Sequence, residues 1–201
     1  MRVLAIGAHP DDIEIACSGT LAKCVKRGDK VIVCHASTGN LGHVIIPPDE
    51  LTEIRKKEAE KAGSLAGIEV IGGMFNDLEL FADNKESRDK MVEVIKYAQP
   101  DFIITHDPSD YMPDHTAVSK LVFDASFTAT LPNYHVGGEK AAKLVPIYYM
   151  DTLAGVNFNP TEFVDITDEI DLKIKMLECH ESQLVWMREH DGIDFADMVR
   201  T

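Results

Sequence analysis

The sequence predicts an α/β fold in which a mostly parallel sheet is covered by helices on both faces. Short apolar segments alternate along the chain with longer segments whose apolar residues recur at helical spacing. Apart from residues near their ends, these segments are nearly continuous in apolar content, which is typical of strands buried on both faces. Together these two patterns favour a layered fold over a helical bundle or a sandwich of antiparallel sheets.

Five strands and five helices are predicted in turn. The strands are residues 2–7, 31–37, 69–74, 101–106 and 147–152, and the helices are approximately residues 13–27, 50–66, 85–98, 114–130 and 168–183. Several helix ends carry recognisable signals. Gly28 and Gly67 follow the first two helices as stop residues, and the third helix ends before Pro100. Pro113 precedes the fourth helix, and Thr167 with acidic neighbours opens the last one.

Composition restricts the class of protein. The chain has 201 residues, 45% of them apolar, which is enough for one domain over residues 1–201 with a core that needs no disulfides. The formal charge of −14 argues against binding to nucleic acid or to an anionic membrane surface. The four cysteines form no C-x-x-C pair, and no apolar stretch reaches the length of a membrane span. We therefore expect a cytoplasmic protein with free thiols.

The segment 7-GAHPDDIEIACSGT-20 places titratable side chains where the first strand ends. Ligands of parallel sheets bind outside the carboxyl ends of the strands. A phosphate loop fits poorly, because the glycine motifs are missing and two aspartates repel phosphate. Capping of the next helix accounts for only one aspartate. In a metal site, His9 and Asp12 are good ligands, and Asp11 stays free beside a bound water.

A third ligand of such a site has to come from another strand end. Strand 101–106 is followed by 107-DPSDYMPDHTAV-118, in which His115 lies just after Pro113 at the start of a helix. His115 reaches the same edge of the sheet if the strand order is doubly wound. A single histidine is weak support, but a histidine facing the HPDD segment is a reasonable metal ligand.

Several motifs together resemble the LmbE-like, or PIG-L, de-N-acetylases. They are AHPDD-x-E followed by G-T, the later P-D-H, 54-IRKKEAEKAG-63 and 164-VDITDEIDLKIKMLECHESQ-183. Members of this family are zinc enzymes with a Rossmann-like fold that remove an acetyl group from N-acetylglucosamine-type substrates. The resemblance covers most of the chain and implies the same fold, a small N-acetylated substrate and a homo-oligomer.

The resemblance also assigns roles to single residues. It implies one zinc ion per chain, held by His9, Asp12 and His115, although a site of this composition accepts other divalent transition metals. It implies that Asp11 is the general base and that Arg55 contacts the substrate. Asp114 falls where the family has an aspartate that orients a neighbouring group.

The chain departs from the family pattern at two places. Met112 stands where many members have a histidine, so His106 or Tyr111 would have to assist, or zinc would act alone. The chain also ends earlier than is common in the family, at 195–201. An alternative function is therefore a metal-binding module with little catalysis and a nucleotide-binding or regulatory role. A phosphoesterase would usually need a second metal, whereas the free Asp11 favours the deacetylase.

Overall fold

The computed structural model describes residues 1–138 and 140–200; Glu139 and Thr201, both inside the predicted domain, lie outside the described residues. Its centre is one all-parallel sheet of five strands in the order β3-β2-β1-β4-β5. The strands are β1 (Arg2–Gly7), β2 (Lys30–Ser37), β3 (Glu69–Phe75), β4 (Phe102–His106) and β5 (Ile147–Met150). The predicted fold class is confirmed, and the strand bounds differ from the expected ones by at most two residues.

The described helices lie around this sheet. They are α1 (Asp12–Ala16), α2 (Ser18–Lys26), α3 (Pro48–Ala66), α4 (Lys85–Ala98), α5 (Pro113–Thr128), α6 (Ile170–Leu177), α7 (Glu181–Trp186) and α8 (Phe195–Arg200), with a π-helical turn at Met187–Asp191. Within the described part of the chain, no helix is both long and apolar enough to cross a membrane.

Two predicted helices are each divided in the structure, so the expectation of continuous helices over 13–27 and 168–183 was wrong. Cys17 adopts φ −138°, which ends α1 before α2 begins. His180 adopts φ −84° and ψ 58° between α6 and α7. Apolar spacing continues across both breaks, and a pattern of periodicity therefore cannot detect them. The second break places His180 in the interior, where its side chain is fully buried.

The three inner strands β1, β2 and β4 are buried on both faces, as their apolar sequences predict, whereas the edge strands β3 and β5 are partly exposed. Along β1, Leu4 and Ile6 face one core shared with α4 and α5, whereas Val3 and Ala5 face a second core shared with α2 and α3. Successive strand residues point to opposite faces, so one short strand supplies both cores. Fully burying a side chain such as Leu4 stabilises the fold by about 1.5–3 kcal/mol.

The strand order places a crevice at the carboxyl ends of β1 and β4. The chain proceeds from β1 outwards through β2 and β3, then crosses back to β4 on the other side of β1. Neighbouring loops at this reversal diverge to opposite faces, and the crevice between them is where such sheets bind ligands. The HPDD segment follows β1, and His106 ends β4, so both polar segments border this crevice.

The pairing of β2 with β3 depends on one glycine. Gly72 pairs with His35, has φ +130°, and a Cβ built on it would lie 1.9 Å from the carbonyl oxygen of His35.

We expect Gly72→Ala to lower the free energy of unfolding by about 3 kcal/mol, because it adds steric overlap to an unfavourable φ. Gly28 also has a positive φ, of +92°, but open space around it. Gly28→Ala should therefore lower the free energy of unfolding by only about 1 kcal/mol, and urea titrations of both variants measure the two losses. Equal losses would contradict the role given to the His35 carbonyl.

Candidate active site

Asp12 is the centre of the site, with three imidazoles around its carboxylate. Its Oδ1 lies 3.3 Å from His115 Nε2. Its Oδ2 lies 3.5 Å from His9 Nδ1 and 3.2 Å from His106 Nε2. Ligand atoms of His9, Asp12 and His115 all lie within 4.8 Å of one another, a spacing suited to one metal ion. The structure thus brings together the three residues that the sequence selected as ligands.

Two further aspartates hold the imidazoles from behind. Asp114 Oδ2 lies 3.1 Å from His9 Nε2, and Asp110 Oδ2 lies 3.0 Å from His115 Nδ1. If each histidine donates this outer N–H, its other nitrogen is left as a lone pair directed at Asp12. Histidines that bind metals are commonly oriented by a carboxylate in this way. Asp114 also accepts the backbone N–H of Leu78, which fixes its own position.

The site fits a divalent cation. His115 Nε2 is buried and, among the described residues, has no hydrogen-bond partner, although Asp12 is close. A buried polar atom without a partner costs about 1–3 kcal/mol, and coordination removes that cost. Imidazole nitrogen and carboxylate oxygen are both zinc ligands, and three protein ligands leave a position for water or substrate.

The cluster also shifts the protonation of its members. Burial opposes ionisation of Asp12, but His115 and the other imidazoles outweigh it and hold the pKa of Asp12 well below its usual range. Burial lowers the pKa of His106 in spite of the nearby Asp12 carboxylate. Burial by itself would lower the pKa of His9, but the Asp114 and Asp12 carboxylates outweigh it and raise that pKa to about 10. Against the same effect of burial, the Asp12 carboxylate likewise raises the pKa of His115. A metal ion bound by these two imidazoles therefore has to displace protons, so metal binding there depends on pH.

Asp11 has a different environment from its neighbour. Its backbone lies in the left-handed region, at φ 114°, and its side chain makes no capping hydrogen bond to α1. Asp11 therefore occupies the N-cap position of α1 without capping the helix through its side chain. Asp11 Oδ1 instead lies 3.2 Å from Arg55 Nη2. Burial raises the pKa of Asp11 to about 6, with Arg55 acting in the opposite direction. A carboxyl group of this pKa exchanges protons readily near neutral pH.

Arg55 is an interior residue of α3, with 3% of its surface exposed. Besides pairing with Asp11, it donates from Nη1 to the carbonyl oxygen of Gly39, at 3.0 Å, and from Nη2 to that of Pro10. It therefore ties the loop after β2 to the HPDD segment. The predicted contact of Arg55 with substrate stays a prediction; its contacts here favour holding Asp11.

Sequence reasoning missed the contributions of Asp110 and Asp77. Asp110 lies five residues before His115 on the same loop, and this proximity was the available signal. Asp77 has no local signal, because its partners come from another loop. It accepts hydrogen bonds from Ser37 Oγ and from the N–H groups of Gly39 and Leu41. Met112, in contrast, precedes α5 as expected, and its backbone N–H donates to Asp110 Oδ1.

A second buried cluster connects α1 to the C-terminal helices. Glu14 and His180 are 1% and 0% exposed, and their Oε2 and Nε2 atoms lie 3.5 Å apart. Lys173 of α6 donates to the carbonyl oxygens of Glu14, at 2.9 Å, and Ile15. Burial by itself would raise the pKa of Glu14, but His180 outweighs it and lowers the pKa from 4.5 to about 2. The C-terminal helices thus anchor the segment that carries Asp11 and Asp12.

Comparison with known proteins agrees with this geometry. Residues 4–126 match the family model described as PIG-L: GlcNAc-PI de-N-acetylase. Diacetylchitobiose deacetylase of Thermococcus kodakarensis is 30% identical over 198 residues, covering 92% of this chain and 72% of the relative. A Nocardioides 1D-myo-inositol 2-acetamido-2-deoxy-alpha-D-glucopyranoside deacetylase is 24% identical, and the match covers 97% of this chain and 86% of the relative. The structure of N,N'-diacetylchitobiose deacetylase from Pyrococcus horikoshii superposes with a TM-score of 0.82 at 28% identity. The superposition covers 94% of this chain and 74% of the relative.

The bond from Asp110 to His115 yields a prediction about metal affinity. We expect Asp110→Asn to weaken zinc binding about 10–100-fold, because the His115 ring loses the carboxylate that orients it. Asp107 lies on the same loop, and within the described part of the chain its side chain accepts hydrogen bonds from Ser109 alone. Asp107→Asn is therefore the matched control and should bind zinc as the parent does. Competition titration with a chromophoric chelator measures both constants, and equal affinities for the two variants would contradict the assignment.

The buried Glu14 carboxylate predicts a pH-dependent contribution to stability. Its pKa is lowered from 4.5 to about 2, so the contribution is complete above about pH 4.5 and lost as the pH falls towards 2. Glu14→Gln should lower the free energy of unfolding by about 3 kcal/mol near pH 6, and by progressively less below pH 4.5. Denaturant titrations from pH 3 to 7 test this, with the exposed Glu60→Gln as control. A loss independent of pH would show that packing, not charge, is responsible.

Proposed function

Because this chain belongs to the PIG-L family of de-N-acetylases, we propose that it hydrolyses the acetyl amide of an N-acetylated amino sugar or its conjugate. The supporting observation is the convergence of His9, Asp12 and His115, with the neighbouring Asp11 outside this group and paired with Arg55. Relatives named as deacetylases of diacetylchitobiose and of an inositol-linked 2-acetamido sugar support this class of substrate.

We propose zinc as the metal, one ion per chain, held by His9 Nδ1, the Asp12 carboxylate and His115 Nε2. Two imidazoles and one carboxylate are a common set for catalytic zinc, and other divalent transition metals fit the same donors. A zinc ion bound there would polarise the acetyl carbonyl and lower the pKa of a water molecule to about 7.

Asp11 supplies the proton transfers of the reaction. Its carboxylate takes a proton from the attacking water as the oxygen–carbon bond forms, and then gives a proton to the nitrogen as the carbon–nitrogen bond breaks. The products are acetate and the free amine. Arg55 holds the Asp11 carboxylate in place for both steps. Asp114 and Asp110 act indirectly, because they orient His9 and His115.

The alternative function, a metal-binding module with little catalysis and a regulatory or nucleotide-binding role, is supported by Met112 in place of a motif histidine. The environment of Asp11 favours catalysis, because a site that only stores metal does not need a free carboxyl group with a pKa of about 6. One domain over residues 1–201, a homo-oligomer and a cytoplasmic location stay predictions.

Amine release from N-acetyl sugars by zinc-loaded protein is the direct test. We expect Asp11→Asn to retain zinc by elemental analysis while its turnover falls about 10²–10⁴-fold, because the proton acceptor is lost. Asp12→Ala should lose the metal and the activity together. Asp83→Asn, at an exposed position, is the matched control and should behave as the parent.

Two outcomes would contradict the proposal. If zinc-loaded parent protein releases no amine from any N-acetyl sugar, the metal-binding module replaces the enzyme. If Asp11→Asn retains zinc and nearly full turnover, Asp11 is not the general base.

A further inference from the structure

A cavity of about 290 Å³ opens directly beside the candidate metal ligands. One wall is polar and belongs to the site already described; it consists of Asp12, His106, Asp110 and His115. The cavity extends from there over the end of β5, between α1 and the C-terminal helices. A group attached to a carbonyl at the site therefore has this space within reach.

The walls away from the site are mainly apolar. They come from α1, the end of β5, the segment before α6, and α8, and their larger side chains are Ile15, Met150, Leu153, Ile166, Met198 and Val199. Of the three polar residues among them, Lys173 and Thr152 bond to backbone carbonyls. Lys173 donates to backbone carbonyls of α1, and Thr152 Oγ1 donates to the carbonyl oxygen of Val156 at 3.0 Å. Asp151 is exposed to solvent.

This composition suits an alkyl chain better than a sugar ring. A sugar presents several hydroxyl groups, and burying them without partners costs free energy for each one. An alkyl chain needs no partners and gains from each methylene that leaves water. The polar wall, in contrast, holds the groups that act on the amide. The cavity therefore has a reactive end and an apolar end.

Its volume exceeds what an acetyl group needs. An apolar cavity of about 150 Å³ is large enough for a benzene molecule, and this cavity is about 290 Å³. An acetyl group has three non-hydrogen atoms and would leave most of the space unfilled. A chain of roughly four to six carbons fills it far better, by the same comparison of volumes.

We propose that this cavity binds the acyl chain of the substrate, so that the enzyme hydrolyses N-acyl amino sugars with chains longer than acetyl. The inference rests on the proposed function, because it uses the same amide hydrolysis. Water adds across the carbon–nitrogen bond, and the products are a short-chain fatty acid and the free amine. Leu153 and Val199, from different walls, become determinants of acyl-chain length.

A series of substrates that differ only in the acyl chain tests the proposal. N-acetyl-, N-butanoyl-, N-hexanoyl- and N-dodecanoylglucosamine are assayed for amine release with the zinc-loaded enzyme. Each methylene that is buried contributes up to about a fourfold increase in affinity. We expect kcat/KM to rise about tenfold from acetyl to hexanoyl and to fall at dodecanoyl, which is too long for the cavity. A steady fall from acetyl onwards would overturn the proposal.

Filling the cavity supplies an independent test. Val199→Phe should lower kcat/KM for the hexanoyl substrate at least tenfold and leave the acetyl substrate within about twofold. Val185 lies exposed on α7, outside the cavity, and Val185→Phe is the matched control. Leu153→Phe repeats the test from another wall, in case the first variant disturbs α8. Equal losses for acetyl and hexanoyl substrates would overturn the proposal, because the cavity would then hold the sugar.

A binding measurement separates this inference from the proposed function. Calorimetry with zinc-loaded Asp11→Asn, in which turnover is slowed, should give tighter binding of N-hexanoyl- than of N-acetylglucosamine. Val199→Phe in that background should remove the difference. If acetyl substrate is hydrolysed but the longer chains neither bind nor react, only the acyl-chain inference fails. If no substrate is hydrolysed at all, the proposed function fails first.

Discussion

The buried carboxylate of Asp12 is the interaction on which the rest of the site depends. A charge removed from water has to be balanced nearby, and here three imidazoles surround it within 3.5 Å. Their arrangement requires β1 and β4 to be neighbours, since His9 follows one strand and His115 follows the other. Asp114 then orients the ring of His9, and Asp110 orients the ring of His115. The nitrogens of His9 and His115 that face this carboxylate are, with Asp12, the group whose spacing suits one metal ion.

Two adjacent aspartates acquire opposite properties because the backbone turns between them. The positive φ of Asp11 directs its side chain towards Arg55, while Asp12 faces the imidazoles. The pKa of Asp12 is consequently held well below its usual range, and burial raises that of Asp11 to about 6. Separating the protonation of neighbouring carboxyl groups in this way is how one site obtains both a ligand and a base.

The C-terminal part of the chain serves the site without supplying the candidate ligands. Lys173 and His180 hold α1 in position through the backbone and the side chain of Glu14. The segments around them form the apolar walls of the cavity. The candidate ligands thus follow β1 and β4, whereas most of the apolar walls of the space beside them come from β5 onwards. Substrate preference is able to change in such an arrangement without disturbing the reactive groups.

The sequence by itself determined the α/β class, the strands and the three residues that converge on one point. Short segments of the sequence are sufficient to predict these features, because they depend on apolar strands and on a histidine and two aspartates at a strand end. Tertiary structure alone decided the rest. His9 and Asp114 are 105 residues apart and meet only because β4 lies beside β1. Arg55 looks like a solvated helix residue in the sequence, yet it is buried against Asp11.

The breaks at Cys17 and His180 preserve the apolar spacing, so the sequence pattern does not show them. The cavity is assembled from segments that lie far apart in the chain. Local patterns report which side chains face a core, and only the packing of distant segments defines what they enclose.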